Sequence, residues 1–200
     1  PLVSSSAASD VYKRQIVAPS FNDDALEVLK TKKNLRVLKL PKQNLTQLNK
    51  ISSKSVMGGL LIQDIDLNEN KKGNWLTVTN NSPSDQQAID LDFAWKICKH
   101  VKSNAIVIAK GQKTIGIGAG QMNRVGAAKI ALEACKDDCT GAVLASDGFF
   151  PFSDTVALAS EFGISSIIQP GGSLRDQESI DMCNAKGISM IFTQKRHFLH

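Results

Sequence analysis

The sequence lacks the local motifs that mark several common classes of protein. Its four cysteines include one C-x3-C pair and no C-x2-C spacing, so it predicts neither a zinc ribbon nor a thioredoxin-type redox pair. Reduced thiols, as in a cytosolic protein, fit this pattern best. There is no G-x-S-x-G elbow, no H-E-x-x-H and no H-x-E with P-C-x-x-C. No complete hydrolase, metalloprotease or zinc-deaminase motif is therefore present.

Long apolar runs and blocks of one charge are also missing. No run approaches the roughly 18 to 20 apolar residues that span a bilayer, and no signal-peptide apolar region is visible. Lys and Arg number 24 against 19 Asp and Glu, but they are scattered along the chain. These features predict no membrane partner and no nucleic-acid partner, although single cations can still bind phosphate. A hydrophobic content of 42% suffices for one domain or a piece of a larger one.

The beginning of the chain differs in composition from the rest. Residues 1–15 are polar, rich in Ser and Ala, and contain the single tyrosine, Tyr12. The stretch from Ser5 to Gln15 resembles the translation of a sequencing adaptor, so we expect residues 1–15 to be a disordered artefact, with a natural flexible tail as the alternative. Residues 16–200 would then be the C-terminal portion of a longer protein.

Apolar periodicity predicts a strand, a helix and a second strand in the first part of the chain. The helix follows an Asn-Asp-Asp start, and the second strand covers Leu35 to Leu40. Residues 41–84 form a polar segment rich in Asn, Lys and Ser. Within it, Met57 to Leu67 and Asn74 to Asn80 read as short strands and loops. The pairing of these strands does not follow from the sequence.

From Ser82 onward the alternation of strands and helices becomes regular. Ser82 or Ser84 is placed to cap a helix, two β-rich runs surround a turn at Lys110–Gly111, and another helix follows. Three more strands alternate with two helices that end at glycines. The apolar face of the first helix repeats every four residues, at Ile89, Phe93, Ile97 and Val101. The pattern predicts an α/β layer with substantial parallel pairing, in which ligands are held where strands end.

Several stretches that follow strands could hold a ligand. "GIGAGQMNR" places glycines after a strand and Arg124 at a helix start, where backbone amides and a guanidinium can bind an anion. Its spacing is not the dinucleotide fingerprint, so a tight turn with an exposed arginine is the alternative. "IQPGGSLRD" offers a turn with Ser173 as a cap. Asn104 could be a cap or a ligand contact, and Lys99-His100 is expected on a solvated helix surface.

Two further stretches belong to the same predicted edge of the sheet. "ASDGFFPFSD" places three phenylalanines and a proline between Asp147 and Asp154, a run that should be buried or hold a ligand. "QKRHFLH" is basic and aromatic, and such tails usually fray. Because it directly follows an apolar strand, we expect it at the same edge as the other loops.

Five blocks together resemble the C-terminal part of the AICAR transformylase/IMP cyclohydrolase family in order and spacing. They are "VKSNAIVIAK", "GIGAGQMNRV", "GAVLASDGFFPFSD", "IIQPGGSLRDQESID" and "FTQKRHFLH", and the resemblance covers residues 16–200. It implies transfer of a formyl group from the co-substrate 10-formyltetrahydrofolate to AICAR in purine biosynthesis, with IMP cyclohydrolase in a separate N-terminal domain. It also implies a layered α-β-α, cytidine-deaminase-like fold without zinc, a homodimer and a cytoplasmic location.

The same resemblance assigns residues to the site. Asn104 matches the family asparagine at the AICAR amide, and it is the candidate catalytic donor to the developing oxyanion. The resemblance implies substrate binding by Asn104, Arg124, Phe149, Arg196, Phe198 and His200, with Arg196 towards the phosphate. It implies folate binding by Val125, Phe149 and Pro151. Phe150 and Phe152 are expected to pack beneath, and Asp147 to help bind a monovalent cation.

Two departures from the family pattern limit these expectations. Residues 152–155 read Phe-Ser-Asp-Thr where relatives carry FRDN, so no asparagine contact to folate is expected there. The family's catalytic Lys-His pair lies upstream of this sequence, and Lys99-His100 does not match it. We therefore expect the chain alone to be inactive as a formyltransferase. A Rossmann-like nucleotide-binding module and a basic nucleic-acid binder are the competing classes.

Overall fold

The structure is a computed structural model that describes residues 15–41, 50–67 and 75–200. The chain divides into two compact units, one ending at Ile65 and the other beginning at Asp66. The adaptor-like prediction for the start of the chain lies outside the described residues except at Gln15, where the first strand begins.

The first unit contains a β-α-β element. Strand β1 (Gln15–Ala18) pairs in parallel with β2 (Arg36–Lys39), and helix α1 (Asp23–Lys30) lies between them in sequence. The helix begins after Asn22, whose side chain accepts a hydrogen bond from the backbone N–H of Ala25. The predicted strand, helix and strand are confirmed.

An antiparallel hairpin completes the described part of the first unit. It consists of β3 (Ile51–Val56) and β4 (Gly59–Asp64), joined at a turn in which Gly58 has a φ of 78°. The sequence predicted β4 but not β3, because the Ser-Ser-Lys-Ser run of β3 has the composition of a loop. Cross-strand pairing with the apolar β4 overrides that local preference.

The second unit is built on a six-stranded sheet with the order β5-β10-β9-β8-β6-β7. Strands β8, β9 and β10 are mutually parallel, whereas β5, β6 and β7 pair antiparallel, so the predicted parallel pairing is confirmed for the middle of the sheet. The strands are β5 (Leu76–Thr77), β6 (Ile106–Lys110), β7 (Lys113–Gly118), β8 (Val143–Ser146), β9 (Ser166–Gln169) and β10 (Ser189–Phe192). The helices are α2 (Asp85–Cys98), α3 (Arg124–Cys135), α4 (Asp154–Glu161) and α5 (Asp176–Lys186).

Helices cover both faces of this sheet. Trp95 of α2 shares a buried cluster with Val107 and Ala145 on one face. Leu132 of α3 shares the opposite cluster with Ile108, together with residues of α4 and α5. Successive residues of β6 enter different clusters because side chains alternate across a strand. The predicted α/β class is confirmed, with the layers helix, sheet and helix.

Helix α2 buries a different face from the one its four-residue repeat suggested. Ser84 caps it: the Ser84 hydroxyl accepts from the Gln87 N–H, and the Gln87 side chain accepts from the Ser84 N–H. Its buried apolar residues are Leu91, Ala94, Trp95 and Cys98, while Ile89 is 42% exposed. Burying the large indole of Trp95 orients the helix, and the predicted face lies at the border of the core. Among the described residues, no helix is long and apolar enough to cross a membrane.

Two of the four cysteines lie side by side. The sulfur atoms of Cys135 and Cys139 are in contact and their Cα atoms are 5.4 Å apart. The expectation of reduced thiols stays a prediction. Cys98 and Cys183 are free and buried. Burial raises the pKa of Cys183 to about 12, which keeps it a thiol.

Candidate functional site

Five loops meet at one edge of the six-stranded sheet. Ile106, at the start of β6, pairs with Ser146 at the end of β8 and with Gly118 at the end of β7. On the other side, Gln169 at the end of β9 pairs with Phe192 at the end of β10. The loop before β6 and the loops after β7, β8, β9 and β10 therefore share one edge. The predicted convergence of the candidate loops is confirmed.

Arg124 connects three of these loops. It is the first residue of α3, after Asn123, whose side chain accepts from the Gly126 N–H at 2.7 Å. Its Nε donates to Ser146 Oγ at 2.8 Å, Nη1 to Asn104 Oδ1 at 2.9 Å and Nη2 to Asp147 Oδ1 at 2.7 Å. One guanidinium thus fixes the relative positions of the helix start, the loop before β6 and the loop after β8.

The ion pair between Arg124 and Asp147 is buried. The Arg124 side chain is 10% exposed and that of Asp147 is fully buried. Burial lowers the pKa of Arg124, and the Asp147 charge opposes that shift. The alternative of a turn with an exposed arginine is therefore wrong. Asp147 Oδ2 is also buried and has no hydrogen-bond partner among the described residues.

Asn104 is a member of the same network rather than a helix cap. Its side-chain Oδ1 accepts from Arg124, and its Nδ2 donates to the Gln121 carbonyl at 2.8 Å. An amide nitrogen carries two N–H bonds, so one remains beyond the bond to Gln121. The orientation of this half-buried amide is set by both partners.

Two of the three glycines of "GIGAG" allow close packing of a helix on a strand. A Cβ at Gly116 would overlap the Ala131 carbonyl oxygen, and one at Gly118 would overlap that of Ala127. Helix α3 therefore lies directly against the backbone of β7. The Gly120 N–H donates to the Lys102 carbonyl at 2.7 Å. The suggestion that these amides face an anion is wrong for Gly120, and close helix contact explains the other two glycines.

The phenylalanines after β8 divide between core and surface. Phe150 is fully buried, and its N–H donates to the buried Gln169 side chain at 3.3 Å. Phe149 is half-buried and Pro151 is exposed. Phe152 is 49% exposed, with the Arg175 guanidinium 4.9 Å from its ring centroid. The expectation of burial is confirmed for Phe150 and wrong for Phe152, which instead stacks with a surface cation.

The last residues of the chain lie over this edge. The Arg196 guanidinium is 4.8 Å from the Phe149 ring centroid and 5.9 Å from that of Phe198. The Phe198 and His200 rings are 6.0 Å apart. Gly148 lies between the two groups, since a Cβ there would overlap the Arg124 guanidinium and approach Phe198 within 3.1 Å. The structure therefore brings the candidate tail residues to Phe149 and Arg124.

His197 was not among the sequence-predicted site residues. Its ring is buried, its Nδ1 contacts a carboxylate oxygen of Asp66, and it lies 4.4 Å from the Trp95 ring. Burial lowers the pKa of His197, and the hydrogen bond to Asp66 opposes this. Asp66 is 131 residues away in sequence, so no local spacing could have signalled the pair.

The remaining sequence candidates occupy less central positions. Lys99 Nζ lies 3.8 Å from Asp66 Oδ1 and its side chain is 18% exposed, so a solvated role is wrong for Lys99, whereas His100 is exposed as expected. Val125 is half-buried in the first turn of α3. Ser173 Oγ accepts from the Arg175 N–H at 3.2 Å and gives α5 no side-chain cap. Within the described residues, no three His, Cys, Asp or Glu side chains gather as a metal site.

Two solved proteins are weakly similar in structure to this chain. RibD from Acinetobacter baumannii aligns with a TM-score of 0.35 and 15% identity, over 52% of this chain and 33% of that chain. The diaminohydroxyphosphoribosylaminopyrimidine deaminase/5-amino-6-(5-phosphoribosylamino)uracil reductase from Thermotoga maritima aligns with a TM-score of 0.33 and 18% identity, over 52% and 34%. Neither similarity supports an argument about this chain.

Sequence comparison is decisive for the family. The bifunctional purine biosynthesis protein PurH of Prochlorococcus marinus strain MIT 9215 is 72% identical over 191 residues, which is 96% of this chain and 37% of that protein. PurH of strain NATL1A is 56% identical over the same shares. The chain thus spans little more than a third of the length of these relatives. The profile of the AICARFT/IMPCHase bienzyme family matches residues 4–134. The chain belongs to the AICARFT/IMPCHase bienzyme family.

Proposed function

We propose that this chain is the C-terminal portion of an AICAR transformylase and supplies much of its substrate pocket. The parent enzyme transfers a formyl group from 10-formyltetrahydrofolate to the 5-amino group of AICAR in purine biosynthesis. It also carries IMP cyclohydrolase in its N-terminal domain, acts as a homodimer in the cytoplasm, and has a cytidine-deaminase-like transformylase fold. Membership of the bienzyme family supports this proposal.

One observation carries the assignment of the pocket: an exposed arginine lies between two aromatic rings at the edge where five loops meet. Arg196 contacts the rings of Phe149 and Phe198. AICAR combines a planar heterocycle with a phosphate, and this group offers flat apolar surfaces beside a cation that can form two parallel hydrogen bonds to phosphate oxygens. Arg196 is the phosphate ligand, and Phe149, Phe198 and His200 surround the nucleotide.

The buried network beneath these residues orients the reacting end of the nucleotide. Asn104 is held by Arg124 and by the Gln121 carbonyl, and its remaining N–H is available to a ligand oxygen. That oxygen is the AICAR carboxamide in the ground state or the oxyanion as the formyl carbon becomes tetrahedral. Arg124 acts on the substrate side mainly by fixing Asn104. Val125, Phe149 and Pro151 line the folate side.

Formyl transfer also needs a group outside this chain. The aryl amine of AICAR is a weak nucleophile, so a base must remove its proton as nitrogen attacks the formyl carbonyl. Lys99 lies beside Asp66 and is 18% exposed, and His100 is exposed at the helix end. Neither residue matches the Lys-His pair of the family. The Lys-His pair of the parent enzyme supplies the base, and this chain supplies binding and orientation.

A monovalent cation beside Asp147 is compatible with one feature of the site. Asp147 Oδ2 is a buried carboxylate oxygen without a hydrogen-bond partner among the described residues, and such an oxygen is a suitable ligand for a hard cation. Asp147 would hold the ion, whose charge would stabilise the buried carboxylate. Zinc has no role in the proposed reaction.

The proposal is tested by a chimera. Residues 16–200 replace the matching segment of the MIT 9215 PurH, and conversion of AICAR and 10-formyltetrahydrofolate to formyl-AICAR is measured. We expect activity near that of the unmodified relative, because the replaced segment is 72% identical. Arg196→Ala should raise the KM for AICAR roughly ten- to hundredfold, the effect of losing a charge-assisted hydrogen bond. Lys186→Ala, which removes an exposed cation at the end of α5, is the matched control.

Two outcomes would contradict the proposal. A folded dimeric chimera without transformylase activity would refute the assignment of the segment. Equal KM values for the Arg196→Ala and Lys186→Ala variants would refute the assignment of the phosphate ligand. The Rossmann-like alternative is disfavoured because close helix packing accounts for Gly116 and Gly118. Binding of NAD detected by calorimetry would favour the Rossmann-like alternative instead.

A further inference from the structure

The C-terminal tail is anchored through one buried histidine between two exposed site residues. Arg196 and Phe198 are exposed, whereas His197 between them is 1% exposed. This alternation is that of an extended segment with one face towards the core. Burial of His197 therefore leaves its two neighbours, Arg196 and Phe198, on the exposed face of the tail.

His197 makes three contacts, two through its imidazole and one through its backbone. Its Nδ1 faces Asp66 Oδ2, and the other oxygen of Asp66 lies 3.8 Å from Lys99 Nζ. Its ring packs at 4.4 Å against Trp95, a fully buried core residue of α2. The His197 backbone N–H donates to the Asp147 carbonyl at 3.0 Å. The side chain thus connects the tail to α2, while the backbone connects it to the loop that carries Asp147.

A second attachment lies two residues further along. Leu199 exchanges hydrogen bonds with Ser103, in which the Ser103 N–H donates to the Leu199 carbonyl at 3.0 Å and the Leu199 N–H donates to Ser103 Oγ at 3.2 Å. Ser103 immediately precedes Asn104 of the buried network. These attachments at His197 and Leu199 alternate along the tail with Arg196, Phe198 and His200, whose side chains are exposed.

We propose that His197 is the positioning residue of this tail: pairing with Asp66 and packing on Trp95 hold Arg196 and Phe198 at the nucleotide. His197 does not touch the substrate. It acts through Arg196, whose guanidinium must stay between Phe149 and Phe198 to meet the phosphate. This role rests on the proposed function for its kinetic consequence, whereas the anchoring itself is a property of the unliganded chain.

Hydrogen exchange tests the anchoring without any assay of activity. In the unliganded chimera, the amides of His197 and Leu199 should exchange at least tenfold more slowly than that of Arg196. The variants His197→Ala and Asp66→Asn should each accelerate exchange at both protected amides, and His100→Ala, which alters an exposed histidine, should not. Exchange of all three tail amides at one common fast rate in the wild type would overturn the anchor.

A double-mutant cycle tests the positioning role. His197→Ala should raise the KM for AICAR about as much as Arg196→Ala and change kcat less. The double variant should be no worse than Arg196→Ala alone, because both changes remove the same contact. His197→Asn should restore part of the affinity, since its amide can donate to Asp66. Additive effects, or an unchanged KM in folded His197→Ala, would overturn the role.

A wild-type chimera without activity would refute the proposed function, and the exchange experiment would still decide the anchor. If His197→Ala does not fold, Asp66→Asn and His197→Asn replace it in the same cycle. Loss of thermal stability without any change in KM in those variants would mean that His197 is structural only.

Discussion

At the residue scale, Arg124 contributes to the architecture of the candidate site. Its guanidinium bonds to Asn104 in the loop before β6, to Ser146 at the end of β8 and to Asp147 just after it. A buried ion pair of this kind contributes little net stability compared with apolar residues, but loss of one partner leaves an uncompensated charge. Substitution of Arg124 is therefore expected to affect folding as well as binding.

We expect Arg124→Ala to lower the free energy of unfolding by about 3–5 kcal/mol, since Asp147 would remain buried without its cation. Urea denaturation of the chimera followed by circular dichroism measures this change. The double variant Arg124→Met/Asp147→Leu, which removes both charges, should be more stable than the single variant. A single variant as stable as wild type would show that the ion pair is dispensable.

The second residue-scale prediction concerns pH and His197. Burial depresses its pKa in the folded state, so the unfolded chain binds a proton more readily than the folded chain. The stability from burying the neutral ring is present above the unfolded pKa of about 6.5 and is lost as pH falls below it. The negative charges of Asp66 and Asp147 raise the pKa of His197 and so reduce this loss of stability at low pH. The positive charge of Lys99 lowers the pKa and increases the loss.

Melting temperatures of wild type and His197→Gln, measured from about pH 7.5 to about pH 5.5, check the direction of this pH dependence. The difference between them should shrink as pH falls. The variant His100→Gln, at an exposed histidine, is measured in parallel. A difference that grows at low pH would mean that attraction to Asp66 outweighs burial.

The sequence indicated the candidate site residues more readily than the contacts among them. Asn104, Arg124, Phe149 and Arg196 stand in short motifs with recognisable spacing, and the fold brings them to one edge. The contact of His197 with Asp66 depends on a tertiary approach across 131 residues. A local sequence pattern cannot predict a contact between residues so far apart, and the polar segment around Asp66 gave no periodic signal.

At the element scale, helix α3 determines where Arg124 lies relative to the sheet. Its backbone rests on Gly116 and Gly118 of β7, with no side chain between them. The elements of the second unit were predicted well because their apolar runs and capping residues agree with the final fold. The buried face of α2 was not predicted correctly, because burial of the large Trp95 side chain outweighed the four-residue repeat. Strand β3 was not predicted because its composition is polar.

We expect Gly118→Ala to destabilise the chain by about 3 kcal/mol or more, because the new methyl group would force α3 away from β7. Thermal and urea denaturation measure the loss. Gly59→Ala is the matched control, since a Cβ there meets only Val56, at 3.9 Å. It should change stability by less than about 1 kcal/mol. Equal stability of the two variants would contradict the close approach.

At the scale of the whole molecule, the chain is similar to only part of its relatives. It covers 37% of the length of the PurH relatives that it matches. If the proposed function holds, we expect the 200-residue chain alone to form no formyl-AICAR at any concentration of AICAR and 10-formyltetrahydrofolate, because the amine must lose its proton to a base and neither Lys99 nor His100 matches the family's Lys-His pair. Product formation by the chain alone, above that of a blank without enzyme, would overturn this expectation.

The strand order also has a consequence for biosynthesis of the chain. β5 pairs with β10, and Thr79, just after β5, accepts from the Met190 N–H across 111 residues. During translation, β5 is synthesised well before β10. The backbone groups of β5 therefore have no strand to pair with until β10 has been made. A chain cut short before β10 would leave both β5 and β9 without the strand that pairs with them.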